Sequence, residues 1–148
     1  MNEIDRFIEA QNTSYSTALS EIKNGKKSSH WMWYIFPQVK GLGQSLWANK
    51  YGIRSKEEAQ LYFHHEILGS RLVEISEALL KIEYKTARSI LGETDTLKLK
   101  SSMSLFAQIQ KETPIFHKVL DKYFAGEVCP QTVSFLSGSI SAKDIKYT

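Results

Sequence analysis

Apolar residues recur at three- and four-residue steps along most of this 148-residue chain, the spacing of amphipathic helices. Ile4, Phe7 and Ile8 predict a short first helix. Tyr15, Ala18, Leu19 and Ile22 predict a second, opened by Thr13 or Ser14 and stopped by Asn24-Gly25. Ser45 can cap a short helix carrying Leu46, Trp47 and Tyr51. Ser55-Lys56-Glu57-Glu58 has the form of a capping box before Ala59, Leu61, Tyr62 and Phe63. A longer stripe follows, with Ile67, Leu68, Leu72, Ile75, Leu79 and Ile82. Gly69 sits inside it, a cost to helix propensity unless something packs closely there. Ala87, Ile90 and Leu91 form a further turn or two closed by Gly92. Thr94 or Asp95 can then cap a helix carrying Leu97, Leu99, Met103, Leu105, Phe106 and Ile109. Thr113-Pro114 opens an amphipathic helix through Ile115, Phe116, Val119, Leu120, Tyr123 and Phe124, ended by Gly126. Pro130 starts a last short helix through Val133 and Leu136, and the polar residues 137–148 are expected to fray. The expected fold is all-α: a single domain of seven to nine short to medium helices.

One block breaks the amphipathic pattern. His30-Trp31-Met32-Trp33-Tyr34-Ile35-Phe36-Pro37-Gln38 is apolar nearly all round, so as helix or strand it is expected to be buried. A short helix ended by Pro37 fits the rest of the chain, and it would group His30, Trp33 and Tyr34. Rings this dense form either the centre of a core or the wall of a pocket. His30, Gln38 and the indole nitrogens then need polar partners.

Composition narrows the setting without naming a reaction. A hydrophobic content of 42% suffices for one sizeable core. The net charge is +3, and the basic residues are mostly lysine, which points to solubility more than to specific phosphate reading. The lone Cys129 cannot form an intramolecular disulfide and fits a reducing compartment. Met1-Asn2-Glu3-Ile4-Asp5 has neither a basic nor an apolar leader segment, and no apolar run reaches the roughly 18–20 residues of a membrane span. A cytoplasmic protein is expected, with a monomer favoured and no membrane association.

Known chemical motifs are missing. His30, His64, His65 and His117 have no zinc-site spacing, and Cys129 has no cysteine partner, so no metal is expected. No G-x-S-x-G elbow, dinucleotide fingerprint or Walker loop is present, and no cofactor is expected. Cys129 could act as a nucleophile only with a lowered pKa. Lys23, Lys26 and Lys27 lie just before Trp31, Trp33 and Tyr34. Lysines on phosphates and rings on bases would make a nucleic-acid interface, but the rings come with Ile35 and Phe36 and read better as core. In Asp95-x-x-Lys98-x-x-Ser101, steps of three place the polar residues on one side of a helix. That side is either a cap with a surface ion pair or the polar lining of a pocket whose other wall is aromatic.

The residues Ser29–Gln38, Gly43-x-Ser45, Tyr51-x-Ile53, Glu58-Ala59-x-x-Tyr62, His65-x-x-Leu68-Gly69-x-Arg71-Leu72, Gly92-x-x-Asp95-x-x-Lys98-x-x-Ser101 and Leu105-Phe106 resemble those of domain of unknown function 1810. The likeness runs from about Phe7 to Leu136 and is most distinctive in the S-H-W-M-W-x-x-F-P-Q string. It implies a compact, mainly helical single domain and no particular reaction. The polar positions that match are His30, Gln38, Ser45, Tyr51, His65, Arg71, Asp95, Lys98 and Ser101. The chain departs at Ser104, where the family has threonine, and at Cys129, where it has aspartate, which argues against a catalytic thiol.

The functional expectation is a pocket for a small anionic molecule. Trp31, Trp33 and Phe36 would wall it, and Gln38, Ser45, Tyr51, Arg71, Lys98 and Ser101 would bind the ligand. If the pocket is catalytic, His30, His65 and Asp95 are the candidate acid–base groups, and Arg71 or Lys98 would hold the anion. The alternatives are a nucleic-acid or protein binding module built on Lys23, Lys26 and Lys27, and a polar set that only satisfies buried hydrogen bonds.

Overall fold

Short capped segments become short helices in the computed structural model, which describes residues 3–138. Among these residues are ten helices: α1 Asp5–Asn12, α2 Tyr15–Lys23, α3 Met32–Ile35, α4 Leu46–Tyr51, α5 Lys56–His64, α6 Glu66–Lys81, α7 Ala87–Leu91, α8 Glu93–Ile109, α9 Ile115–Phe124 and α10 Pro130–Leu136. The fold is all-α. The count exceeds the expected range by one because pieces as short as α3 and α7 close hydrogen-bonded turns of their own. The expected frayed tail lies outside the described residues, apart from Ser137 and Gly138 at the end of α10.

Side-chain caps explain the starts of α4, α5, α6 and α7, while Ser14, expected to open α2, makes no capping bond. Ser45 Oγ accepts from Ala48 N (3.0 Å) and Ser55 Oγ from Glu58 N (3.1 Å), each satisfying a backbone donor of a first turn. The capping box at Ser55 is only half made. The Glu58 carboxylate accepts from Arg54 N and pairs with Arg6 (2.8 Å) instead of closing on Ser55. The start of α8 also differs from expectation. Gly92, at φ +88°, ends α7 and opens α8 at once, so Asp95 lies inside the first turn and is not the cap. Nothing lies within 4 Å of where a Gly92 Cβ would stand, so it is the backbone angle that favours glycine there.

The long apolar stripe is interrupted at His65, whose Nδ1 accepts from Ile67 N (3.1 Å) and Leu68 N (3.3 Å) and starts α6. The sharp α5–α6 corner accounts for Gly69. A Cβ there would stand 1.9 Å from the Phe63 carbonyl oxygen.

The core gathers around α8, which packs on α5, α7, α9 and α10. Ser101–Ala107 are all buried, so this half of α8 is enclosed on every side. Two of its three serines bond back into the chain: Ser101 Oγ donates to Leu97 O, and Ser104 Oγ donates to Lys100 O while accepting from Cys129 N, whereas the buried Ser102 hydroxyl has no hydrogen-bond partner among the described residues. Between α3 and α5 the chain closes on itself. Val39 and Ile53 form an isolated parallel bridge, with Lys40 N donating to Ile53 O and Ile53 N to Gln38 O, each at 2.8 Å. The loop thus clasped carries α4. No helix of the described residues is long and apolar enough to cross a membrane.

Candidate functional site

The clasped loop, α3 and the first turns of α8 meet at Lys98. Its ammonium is 3.2 Å from Asp95 Oδ1 and 4.9 Å from the centre of the Trp33 ring. Asp95 Oδ2 is in turn 2.9 Å from Lys27 Nζ, which lies 5.1 Å from the Trp31 ring centre. Two lysines therefore share one carboxylate, and each also faces a tryptophan. The side chains of Lys27, Asp95 and Lys98 are only 9%, 16% and 14% exposed. Lys27 reaches this place because its backbone N–H donates to Ile90 O, tying the 26–29 connector to α7.

Lys98 lines three depressions. One, of about 470 Å³, is bounded by Trp33, Gly43, Gln44, Ser45, Ala48 and Thr94. A second, a pit no larger than a water, is lined by Trp33, Phe36, Gln38, Ala48, Tyr51 and Gly52. The third, of about 150 Å³, lies toward Gln38, Leu42, Leu97, Ser101, Cys129 and Gln131. Trp33, Trp47 and Tyr51 form an array of rings beside this groove. Trp47 stacks on Trp33 (6.0 Å, 29°) and on Tyr51 (5.8 Å, 12°). Gly43 packs close behind the wall, where a Cβ would stand 2.7 Å from the Ala48 methyl. The Gln38 amide lines two of the depressions and has no hydrogen-bond partner among the described residues.

Larger depressions exist elsewhere, and their lining chemistry sets them apart. One of about 680 Å³ near α2 and α6 is edged by Lys23, Lys81, Lys85, Glu74, Glu77 and Glu83, charges of both signs with no ring. Another, of about 610 Å³, runs over the α5–α6 corner past Phe63, His64 and His65. Both have the volume of a ligand site, but neither contains a part-buried cation against an aromatic face. No group of three or more His, Cys, Asp or Glu residues among the described residues could hold a metal ion.

The model of a family described as a protein of unknown function, DUF1810, matches residues 1–136. The chain belongs to the DUF1810 family. The crystal structure of the conserved hypothetical protein Rv1873 from Mycobacterium tuberculosis is similar to this DUF1810 chain, at 41% identity and a TM-score of 0.89. The likeness covers 91% of this chain and 96% of that one. No curated protein matches the sequence.

Of the residues that the sequence marks in this DUF1810 protein, Trp33, Gln38, Ser45, Tyr51, Asp95, Lys98 and Ser101 come together at the groove. Trp31 does not line it. Its ring is 1% exposed, and its Nε1 donates to Glu21 Oε1 at 2.9 Å. Glu21 was given no role by the sequence, yet it accepts from Ser28 N, Ser29 N and Ser29 Oγ as well. Burial works against its charge, but these hydrogen bonds, led by the Ser29 hydroxyl, outweigh it and hold the carboxyl at about 2. No sequence spacing announces such a clamp.

His30 is exposed and precedes α3, so the expected grouping of His30, Trp33 and Tyr34 on one helix does not form. His65 serves as the α6 cap. Arg71 faces Tyr15, its guanidinium 5.0 Å from the ring centre, and donates to Gln11 Oε1 at 3.4 Å. Gln11 also donates to Tyr62, so this second polar set joins α1, α5 and α6. Burial raises the Tyr62 phenol, and burial followed by the hydrogen bond to Glu74 raises that of Tyr15. Of the lysines and rings named for a nucleic-acid surface, Lys27 is held by Asp95 and the Trp31 ring is inside. Trp47 and Thr94 are residues at the groove that spacing could not find, and Lys27, named in the sequence only for the nucleic-acid alternative, belongs here through its ion pair with Asp95. Lys27 and Asp95 are 68 positions apart.

Proposed function

We propose that this protein binds a small anionic metabolite in the groove over Lys98. The observation that carries the reading is the charge of the Lys27–Asp95–Lys98 set. Two ammonium groups share a single carboxylate, leaving one positive charge without a counter-ion in a part-buried site. An unbalanced charge taken out of water is costly, and an anion entering the groove relieves that cost. The aromatic wall and the 470 Å³ volume suit a metabolite-sized guest. Asp95 is the one acid–base candidate at the groove, and its carboxylate is engaged by both lysines. The reading is therefore one of binding, with no reaction assigned. A cytoplasmic ligand is in keeping with Cys129, a free and buried thiol.

Calorimetric titration with inorganic phosphate, sugar phosphates and small carboxylates tests it. At least one of these should bind the wild-type protein. Lys98→Met, which keeps the apolar stem, should abolish that binding with little change in melting temperature. Arg71→Ala should leave the affinity unchanged, because Arg71 belongs to the other polar set. Equal affinity in wild type and Lys98→Met, or no binding by any of these anions, overturns the proposal.

A further inference from the structure

Resting on that reading of the groove, we infer that its ligand is a planar ring carrying an anionic group, of the nucleoside monophosphate class. Anion binding alone does not account for the aromatic array. Trp33 has Lys98 over its ring, and Trp47, the middle ring of the stack with Lys50 Nζ 5.9 Å from its centre, is still 50% exposed. The neighbouring Leu46 is 86% exposed, and Leu97 on the far side of Lys98 is 54% exposed. Single exposed apolar side chains are ordinary. Here one of them, Leu46, adjoins a half-uncovered indole that stacks on Trp33, the ring that faces Lys98. A flat heterocycle laid against the uncovered part of Trp47, beside the depression that Trp33 and Lys98 line, would cover that indole and place an attached phosphate within reach of Lys98.

The rest of the wall suits the remaining parts of such a molecule. Gln44, Ser45 and Thr94 bring an amide and two hydroxyls to the same depression as Trp33 and Lys98. These groups can bond a ribose or the edge of a base. Asp95 then acts as an internal stand-in for the guest, since it occupies on Lys98 the place the phosphate would take. The volume of about 470 Å³ accepts one nucleotide and is small for a chain of them. A free mononucleotide is therefore favoured over a nucleic-acid strand.

The test compares adenosine monophosphate, ribose 5-phosphate, adenosine and a short single-stranded oligonucleotide by calorimetry and tryptophan fluorescence. Adenosine monophosphate should bind about tenfold more tightly than ribose 5-phosphate, the usual worth of a base–aromatic stack, and should quench the fluorescence. Trp47→Ala should reduce its affinity to that of ribose 5-phosphate while leaving the latter unchanged, and Trp47→Phe should retain most of the difference. Circular dichroism of each variant checks that the fold persists. If the nucleotide and the sugar phosphate bind equally, or if Trp47→Ala weakens both alike, the ring assignment is overturned and the anion site stands. Binding of adenosine as tightly as the monophosphate, or of the oligonucleotide tenfold more tightly, overturns it too. If no phosphate compound binds at all, the assignment falls, and the function proposed above falls with it only when the carboxylates also fail to bind.

Discussion

Trp31 and Trp33 are two residues apart and share a setting: each faces a lysine, and the two lysines share Asp95. Their roles nevertheless diverge. Trp31 precedes the one-turn helix α3, is buried, and has its indole N–H fixed by Glu21. Trp33 lies on α3, half-buried, with a ring that forms part of a groove. The side chain is the same, and the difference comes from what the rest of the chain places around it. A connector held by one carboxylate turns the first ring inward. A clasped loop with an open side leaves the second in contact with solvent.

The sharpest way to break this comparison is truncation. Trp31→Ala should cost about 3–5 kcal/mol, as for a large ring removed from a packed core, read from urea unfolding. Trp33→Ala should cost only about 1 kcal/mol and act chiefly on ligand binding. Equal losses for the two variants would erase the distinction between an inner and an outer tryptophan.

A smaller effect is expected at the carboxylate that the two lysines share. Asp95→Asn keeps the shape but leaves both ammonium groups without their counter-charge, for a loss of about 1.5–3 kcal/mol. The same variant frees Lys98, so affinity for inorganic phosphate or a nucleotide should rise severalfold. Stability and affinity thus move in opposite directions at the outer ring, whereas no ligand effect is expected from Trp31. A variant that loses both stability and affinity would show Asp95 to be part of the binding surface itself.

The smallest effect concerns the Glu21 clamp. Its carboxyl is depressed from an ordinary 4.5 to about 2 in the folded protein. The contribution to stability is therefore fully present above pH 4.5 and is lost as pH falls from about 4.5 to about 2. Glu21→Gln should be less stable at neutral pH and show a flatter acid limb in thermal melts. An acid limb identical to that of wild type would show that Trp31 is held by packing alone.

Much of the fold was legible because it rests on local chemistry. Ser45, Ser55, Gly25 and Gly126 mark ends that three- and four-residue spacing already implies. The burial of Trp31, Met32, Ile35 and Phe36 followed from the block's lack of a polar face, but His30 is exposed and Trp33 and Tyr34 are only half-buried. The site was legible only in part. Gln38, Ser45, Asp95 and Lys98 stood out by residue type, but their meeting depends on the Val39–Ile53 clasp and on Lys27 being carried to α8 by α7. Spacing holds no information about such distant partners. Arg71 and Lys98 were equivalent cations in the sequence, and only packing assigns them to separate polar sets. His65 was hidden as a cap because the apolar stripe runs through the corner it starts, a corner whose tightness only Gly69 betrayed.

Gly92 is the whole of the connection between α7 and α8. A connection with no residue to spare acts as a ruler. One residue inserted within the first turn of α8 would turn the side chains after it by about 100° around the helix axis and shift them by about 1.5 Å. Because Lys27 is tied to Ile90 on α7 while Asp95 and Lys98 ride on α8, the insertion would pull the two lysines out of register. Chain length at this junction is therefore as much a determinant of the groove as the identity of any side chain. Insertions should be tolerated far better in the exposed stretch 83–86 ahead of α7, where added residues can loop into solvent without moving either helix.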